Sequence, residues 1–335
     1  MKKIVCLICL FVSSLAMAQS NVNDLFAAGI NDAEKFTNAY LSPVSEGMLY
    51  SLAGGWYNSA DAKPLGGFEI SLIGNLALSS DKKKSFVLNT ADYENLQFVD
   101  ASASKSVATA LGDLEGIRVR VEAEVSPGNI VSEEFELPTG LAAEKINFVP
   151  SAFLQASVGL IKGTELKARF LPKIDTDNVA IGLFGVGLQH DFTKHLPADK
   201  VLPIAISGVI GYTHLTGSYD FTDTDIISGT DQKIDMDMST WIFQAVVSTK
   251  MPIINFYGGV GYLSGKSTID VLGTYDVQTG PFQQSYTDPF SVNSKANGTT
   301  ANIGMKLKLG FFRLHADYSI AEFNNVSFGV NFGFR

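Results

Sequence analysis

Three runs near the C-terminus alternate apolar and polar residues. Ala301, Ile303, Met305, Leu307 and Leu309 interleave with Asn302, Gly304, Lys306 and Lys308. Leu314, Ala316, Tyr318 and Ile320 interleave with Arg313, His315, Asp317 and Ser319. Val326, Phe328, Val330, Phe332 and Phe334 interleave with Ser327, Gly329, Asn331 and Gly333. A period of two sends successive side chains to opposite faces, which predicts strands. Each run is roughly 9–10 residues, the length a tilted strand needs to cross a bilayer. The turns between them, Gly310-Phe311 and Phe323-Asn324-Asn325, are minimal.

The same alternation recurs upstream, and it predicts about twelve antiparallel strands (range 10–14), as expected of a bacterial barrel with an even count. They cover 65–79, 116–125, 130–137, 151–161, 165–174, 179–192, 202–220, 236–250, 253–277, 299–309, 312–322 and 326–335. The 116–137 pair has a weakly apolar outer face and can project from the barrel. The connections sort by parity. One end has short turns at 126–129, 162–164, 193–201, 251–252 and 310–311. The other has 80–115, 138–150, 175–178, 221–235, 278–298 and 323–325, most of them long polar loops. Membrane barrels keep short turns on one side and long loops on the other, whereas a soluble sandwich has no reason to. The predicted fold class is therefore all-β, an antiparallel transmembrane β-barrel. Apolar faces point to lipid and charged faces to a wet lumen.

The N-terminus reads differently. Asn21 to Leu41 has helical spacing, with Leu25, Phe26, Ala33, Phe36 and Tyr40 against a polar face. Ser42-Pro43 looks like an N-cap and first-turn proline, so a second short helix is expected through Met48 and Leu52. Gly54-Gly55 should end it. Before this comes Met1-Lys2-Lys3, an apolar run Ile4–Leu15 and Ala16-Met17-Ala18, the three parts of a signal peptide. The expected division is a signal peptide at 1–18 cleaved near Ala18, a helical plug or appendage at 19–58 and the barrel at 59–335. Cys6 and Cys9 both fall in the first part, which leaves no thiol chemistry.

The chain holds 34 acidic residues against 25 basic ones. Such a balance argues against nucleic acid as a partner, since phosphate recognition needs a basic footprint. Aromatics gather near strand ends, and Trp56, Trp241, Phe332 and Phe334 are the expected interfacial girdle. No catalytic or metal motif stands out. His190, His195, His214 and His315 lack any H-x-x-x-H spacing, and no G-x-S-x-G exists. No metal, cofactor or enzymatic activity is expected, and a barrel-embedded Ser–His hydrolase using His315 is the least favoured reading.

The chain resembles Gram-negative outer-membrane barrels, in style those of Bacteroidota. The segment Ala39-Tyr40-Leu41-Ser42-Pro43-Val44-Ser45-Glu46-Gly47-Met48 is loosely similar to the N-terminal hatch of the FadL-type hydrophobic-compound transporters. Their Tyr/Phe-x-Asn-Pro-Ala-Gly pattern is matched at Tyr40 and Pro43, while Ser42, Val44 and Ser45 depart from it. This resemblance implies an outer-membrane location and passive transport of small hydrophobic molecules. Phe26, Phe36, Tyr40 and Pro43 would flank the route. The alternative is a non-transporting structural or adhesive barrel. Expected partners are outer-membrane lipid, a hydrophobic small molecule, and the barrel-assembly machinery through the C-terminal strand.

Overall fold

The computed structural model describes residues 25–334 except 27, 127–128, 177, 198, 200, 221–228 and 280–281. The expected signal peptide, Cys6, Cys9, the start of the Asn21 helix, the middle of the 126–129 turn and most of the 221–235 loop lie outside the described residues.

Ten strands close into one antiparallel barrel, the predicted fold class with a smaller count than twelve. They are β1 (Phe68–Leu78), β7 (Phe148–Gly159), β8 (Thr164–Asp175), β9 (Val179–Asp191) and β10 (Ile204–Asp220), followed by β11 (Gly229–Thr249), β12 (Ile254–Thr279), β14 (Phe290–Leu309), β15 (Phe312–Ile320) and β16 (Asn324–Phe334). Closure occurs where β1 pairs with both β7 and β16, with Leu72 opposite Leu154 on one side and Val330 on the other. The register fixes which face is which. Ile70, Phe184 and Ile303 are 50%, 54% and 70% exposed on the outside, while Glu69 and Arg169, on the inward face, are 2% and 1% exposed. A one-residue slip would exchange these sets.

The outer apolar band has a visible limit. On β10 it runs from Ile204 through Ile206 and Ile210 to Tyr212, which sits opposite Trp241. That is about 27 Å along the strand, or about 20 Å of height at the usual tilt, close to the apolar band of membrane barrels. Beyond it β11, β12 and β14 continue as a polar ribbon carrying Asp237, Lys266, Lys295 and Asn297. The hairpin of β12 with β13 (Phe282–Thr287) extends that ribbon further. The stretches at 229–235 and 278–298, expected as loops, are thus largely strand, because their alternating polar residues pair across the ladder with no lipid to face.

The missing two barrel strands are β5 (Arg118–Ser126) and β6 (Asn129–Glu136). With β3 (Leu96–Phe98) they form a separate sheet, and β2 (Ser85–Asn89) pairs with β4 (Ser104–Ala108). The reason is charge. One face of the pair carries Arg118, Arg120, Glu122, Glu134 and Glu136, which hydrocarbon would not tolerate, while Val119, Val121 and Phe135 turn to a small core with Leu96 and Phe98. The insertion 79–147 is therefore a folded cap at the loop end, not an irregular loop followed by two spanning strands.

A helix, α1 (Ile30–Ala53), runs inside the barrel and touches β1, β7, β10, β11, β12 and β14. It passes straight through Pro43 instead of breaking at Ser42-Pro43. An interior proline forfeits a backbone hydrogen bond, but here Tyr40, Leu41, Val44 and Leu49 are all buried against the cap and wall, and Ser42 Oγ donates to Asn38 O at 2.6 Å. Tertiary packing overrides the local break. Among the described residues no helix is long and apolar enough to cross a membrane.

Candidate functional site

The lumen has two halves of different chemistry. Toward the turn end, residues 54–67 thread through it as an extended segment tied to the wall. Asn58 Nδ2 donates to Glu69 Oε1 at 2.9 Å, and Lys306 Nζ donates to Asn58 Oδ1 at 2.7 Å. Arg313 Nη1 lies 2.6 Å from Glu69 Oε2. Glu165 Oε1 takes Lys63 Nζ at 2.9 Å and Lys167 Nζ at 2.6 Å. Gln189 Nε2 donates to Ser59 O at 2.9 Å, and Ser207 Oγ donates to Ala60 O. The charges do face inward, but they are spent on this segment rather than on a wet channel. Alternation alone cannot distinguish a hydrated lumen from one packed with the chain's own polar residues.

Trp56 belongs to this interior and is not an interfacial aromatic. It is 1% exposed, with the Arg169 guanidinium 3.6 Å from its ring centre. Phe153 covers the other side of that guanidinium at 4.4 Å. Arg169 also donates Nε to Gln155 Oε1 at 2.7 Å, Nη1 to Leu52 O at 3.0 Å and Nη2 to Gly54 O at 2.7 Å. A cation at the C-terminal carbonyls of α1 complements its dipole. Gly187 and Gly211 make room for the indole, since a Cβ at either would overlap it. The other three expected interfacial aromatics do point outward: Trp241, Phe332 and Phe334 are 46%, 47% and 57% exposed.

Above this floor lies an apolar cavity that, together with the outer groove it joins, has a volume of about 1000 Å³. Met48 and Leu52 of α1 line it with Phe153, Leu171, Leu183 and Leu215 of the wall. Its lining also includes Leu72, Ala152 and Leu154, whose side chains are on the outside of the barrel. The wall explains this. β7 and β8 pair only from Leu154 opposite Phe170 to Gly159 opposite Glu165. Beyond that point 148–153 and 171–175 diverge, and a register irregularity between Leu171 and Ile174 bends β8 against β9. Pro150 and Pro172 stand in the diverging segments, and proline has no N–H to give a ladder. The cavity thus reaches the outer surface through an unpaired stretch of wall.

The residues singled out from sequence lie elsewhere. Phe26 packs on Tyr275, Tyr286 and Phe290 at the loop end. Phe36 stacks on Tyr40 at 5.8 Å and meets Phe86 of the cap. Tyr40 OH donates to Thr139 O at 2.6 Å, and burial pushes its hydroxyl pKa up from the ordinary value. Pro43 lies mid-helix. None of the four lines the cavity. Phe36 and Tyr40 fasten α1 to the cap together with Asp32, whose carboxylate accepts the backbone N–H groups of Glu94, Asn95 and Leu96 at 2.8, 2.8 and 3.2 Å. Pro172, inside the alternating run 165–174, and Pro150, one residue before the run 151–161, were the sequence signal for the opening. His315 is buried with Nδ1 2.9 Å from Asn331 Nδ2, and no serine hydrogen-bonds to it among the described residues.

Solved structures similar to this chain include the following three. Ail, the attachment invasion locus protein of Yersinia pestis, is 10% identical with a TM-score of 0.29, covering 81% of this chain and 100% of that one. The translocator domain of autotransporter NalP from Neisseria meningitidis is 12% identical with a TM-score of 0.29, covering 86% and 93%. An outer membrane channel from Pseudomonas putida F1 is 7% identical with a TM-score of 0.29, covering 84% and 98%. Likeness at this level carries no argument, and the fold rests on the pairing register above. Among curated proteins none matches the sequence. The whole-length match is to a family profile: over residues 1–334 the chain belongs to DUF6588, a family of unknown function.

Proposed function

We propose that this protein is an outer-membrane barrel that receives a small hydrophobic molecule in its apolar cavity and passes it sideways through the wall between β7 and β8, without catalysis. The observation that carries the reading is the paired loss of the β7–β8 ladder and the presence of one apolar cavity on both sides of that gap. Hydrophobic transfer is non-directional and scales with apolar area, so such a cavity takes up apolar solutes without a specific polar contact. The packed half below Arg169 argues for lateral passage over passage from end to end. The outward apolar band argues for lipid as the surrounding solvent. Phe332 and Phe334 on the final strand are the features the barrel-assembly machinery would meet.

The test is saturable binding of N-phenyl-1-naphthylamine by the purified barrel in vesicles, followed by its fluorescence. Leu171→Asp puts a carboxylate in the gap. Burying it unpaired costs about 2 kcal/mol or more, so binding should weaken at least tenfold. Unsaturable binding by the native protein, or unchanged affinity in the variant, would refute the reading.

The second reading, a non-transporting structural or attachment barrel, is favoured by the seal at 54–67 and by the folded cap. Flux separates the two: a barrel that binds no apolar probe and stays silent in planar bilayers belongs to the second.

A further inference from the structure

At the turn end, outside the lumen, the fold brings together two histidines that are five positions apart. His190 is the penultimate residue of β9, facing outward, and His195 ends the short helical turn Phe192–His195. Their Nε2 atoms are 3.1 Å apart. The rings are tilted by 34° with centres 5.1 Å apart. His190 Nδ1 is 3.0 Å from Thr164 Oγ1, and Phe192 packs edge-on against the same ring. Both side chains reach solvent, His190 in part and His195 as an exposed residue.

We propose that His190 and His195 form a two-histidine site for a first-row transition-metal dication such as Zn²⁺. The geometry fits. Zinc sits about 2.0–2.1 Å from an imidazole nitrogen. Two such nitrogens 3.1 Å apart subtend about 98° at the ion, and a few tenths of an ångström of opening gives a tetrahedral angle. In the tautomer that binds metal, His190 Nδ1–H donates to the Thr164 hydroxyl, which leaves the Nε2 lone pair free. A second partner of this kind fixes the tautomer of many ligating histidines. In the metal-free protein one Nε2–H donates to the other ring. A bound ion replaces that proton between the nitrogens, and His195 carries its proton on Nδ1 instead. Imidazole nitrogens select Zn²⁺, Ni²⁺ or Cu²⁺ over the hard cations Ca²⁺ and Mg²⁺. No cluster of three or more metal-type side chains exists among the described residues, so water would complete the coordination. Sequence spacing hides such a pair, because it arises from a strand end folding back through a turn and not from one helix face.

The test uses untagged mature protein in detergent and Zn²⁺ alone, in competition with a chromophoric chelator. One Zn²⁺ per chain should bind. His190→Ala and His195→Ala should each weaken binding at least tenfold, and Thr164→Val should weaken it roughly tenfold by freeing the His190 ring. His214→Ala, an outward histidine paired with Asp237 instead, should leave binding unchanged. Mg²⁺ should not compete. His195 lies on an exposed turn, so its variant keeps the fold, which heat-modifiable migration in gels verifies. Absence of stoichiometric Zn²⁺ binding, or binding that survives His195→Ala, would overturn the site.

Discussion

Replacing Arg169 by alanine should loosen the floor of the cavity while leaving the barrel closed. Arg169 holds two backbone carbonyls, at Leu52 and Gly54, and lies between the rings of Trp56 and Phe153. Each carbonyl left without a donor costs about 1–3 kcal/mol, and the two cation–π contacts add about 2 kcal/mol when desolvated. Relief of the cost of burying a cation offsets part of this. The net loss should be about 3–5 kcal/mol, concentrated in residues 52–56 because strand pairing does not depend on this side chain. The chain has two tryptophans. In a Trp241→Phe background, Trp56 alone reports. Arg169→Ala should shift its emission to the red and speed amide exchange at 50–60, with strand exchange unchanged. Arg169→Lys keeps the charge but not the fork, and should fall between. Unaltered Trp56 emission together with unaltered exchange at 50–60 would refute the reasoning.

Further outcomes follow from other contacts. Glu69→Gln leaves Lys63 paired with Glu165 and takes from Lys306 and Arg313 the carboxylate they share; removing one member of a buried ion cluster costs about 3–5 kcal/mol, and the urea midpoint of the detergent-folded protein should drop accordingly. Gly211→Val should push the Trp56 indole out of its niche, which acrylamide quenching in the Trp241→Phe background will detect. Asp32→Ala removes the acceptor of three backbone N–H groups and should cost about 3 kcal/mol of cap docking, read as faster proteolysis within 79–147. Asp199 bonds Lys250 at 2.7 Å, and that contact, with Lys194 nearby, holds its carboxyl below the ordinary value of 3.8. A lowered carboxylate pKa means stabilisation that is complete above the unfolded value and disappears as pH falls through the folded one. Exchange in the 192–203 turn should therefore rise in acid, and Asp199→Asn should abolish that response.

The barrel was legible because lipid imposes a strict rule. A face that meets hydrocarbon carries no charge, so Leu154–Val158 or Phe328–Phe334 announce themselves by alternation. The rule also separates the β5–β6 hairpin, whose charged face belongs in water, and its doubtful outer face was visible at Arg118 and Glu122. What alternation does not carry is the content of the lumen. Glu69, Lys167 and Lys306 read the same whether they meet water or residues 54–67. Trp56 reads as a girdle residue because aromatics gather near strand ends, yet distant glycines at 187 and 211 decide its position. The helix through Pro43 departs from its local pattern for a related reason: local preference predicts a break, and contacts with a cap far along the chain outweigh it. The wall opening had a local sign in Pro150 and Pro172, but only pairing reveals that the two prolines face one gap.

The central claim is orientation, apolar face outward and Trp56 sealed inside, and two natural reporters test it. In vesicles of brominated lipid, Trp241 in a Trp56→Phe background should be strongly quenched, and Trp56 in a Trp241→Phe background should be spared. Equal quenching of both, or protection of Trp241, would contradict the account.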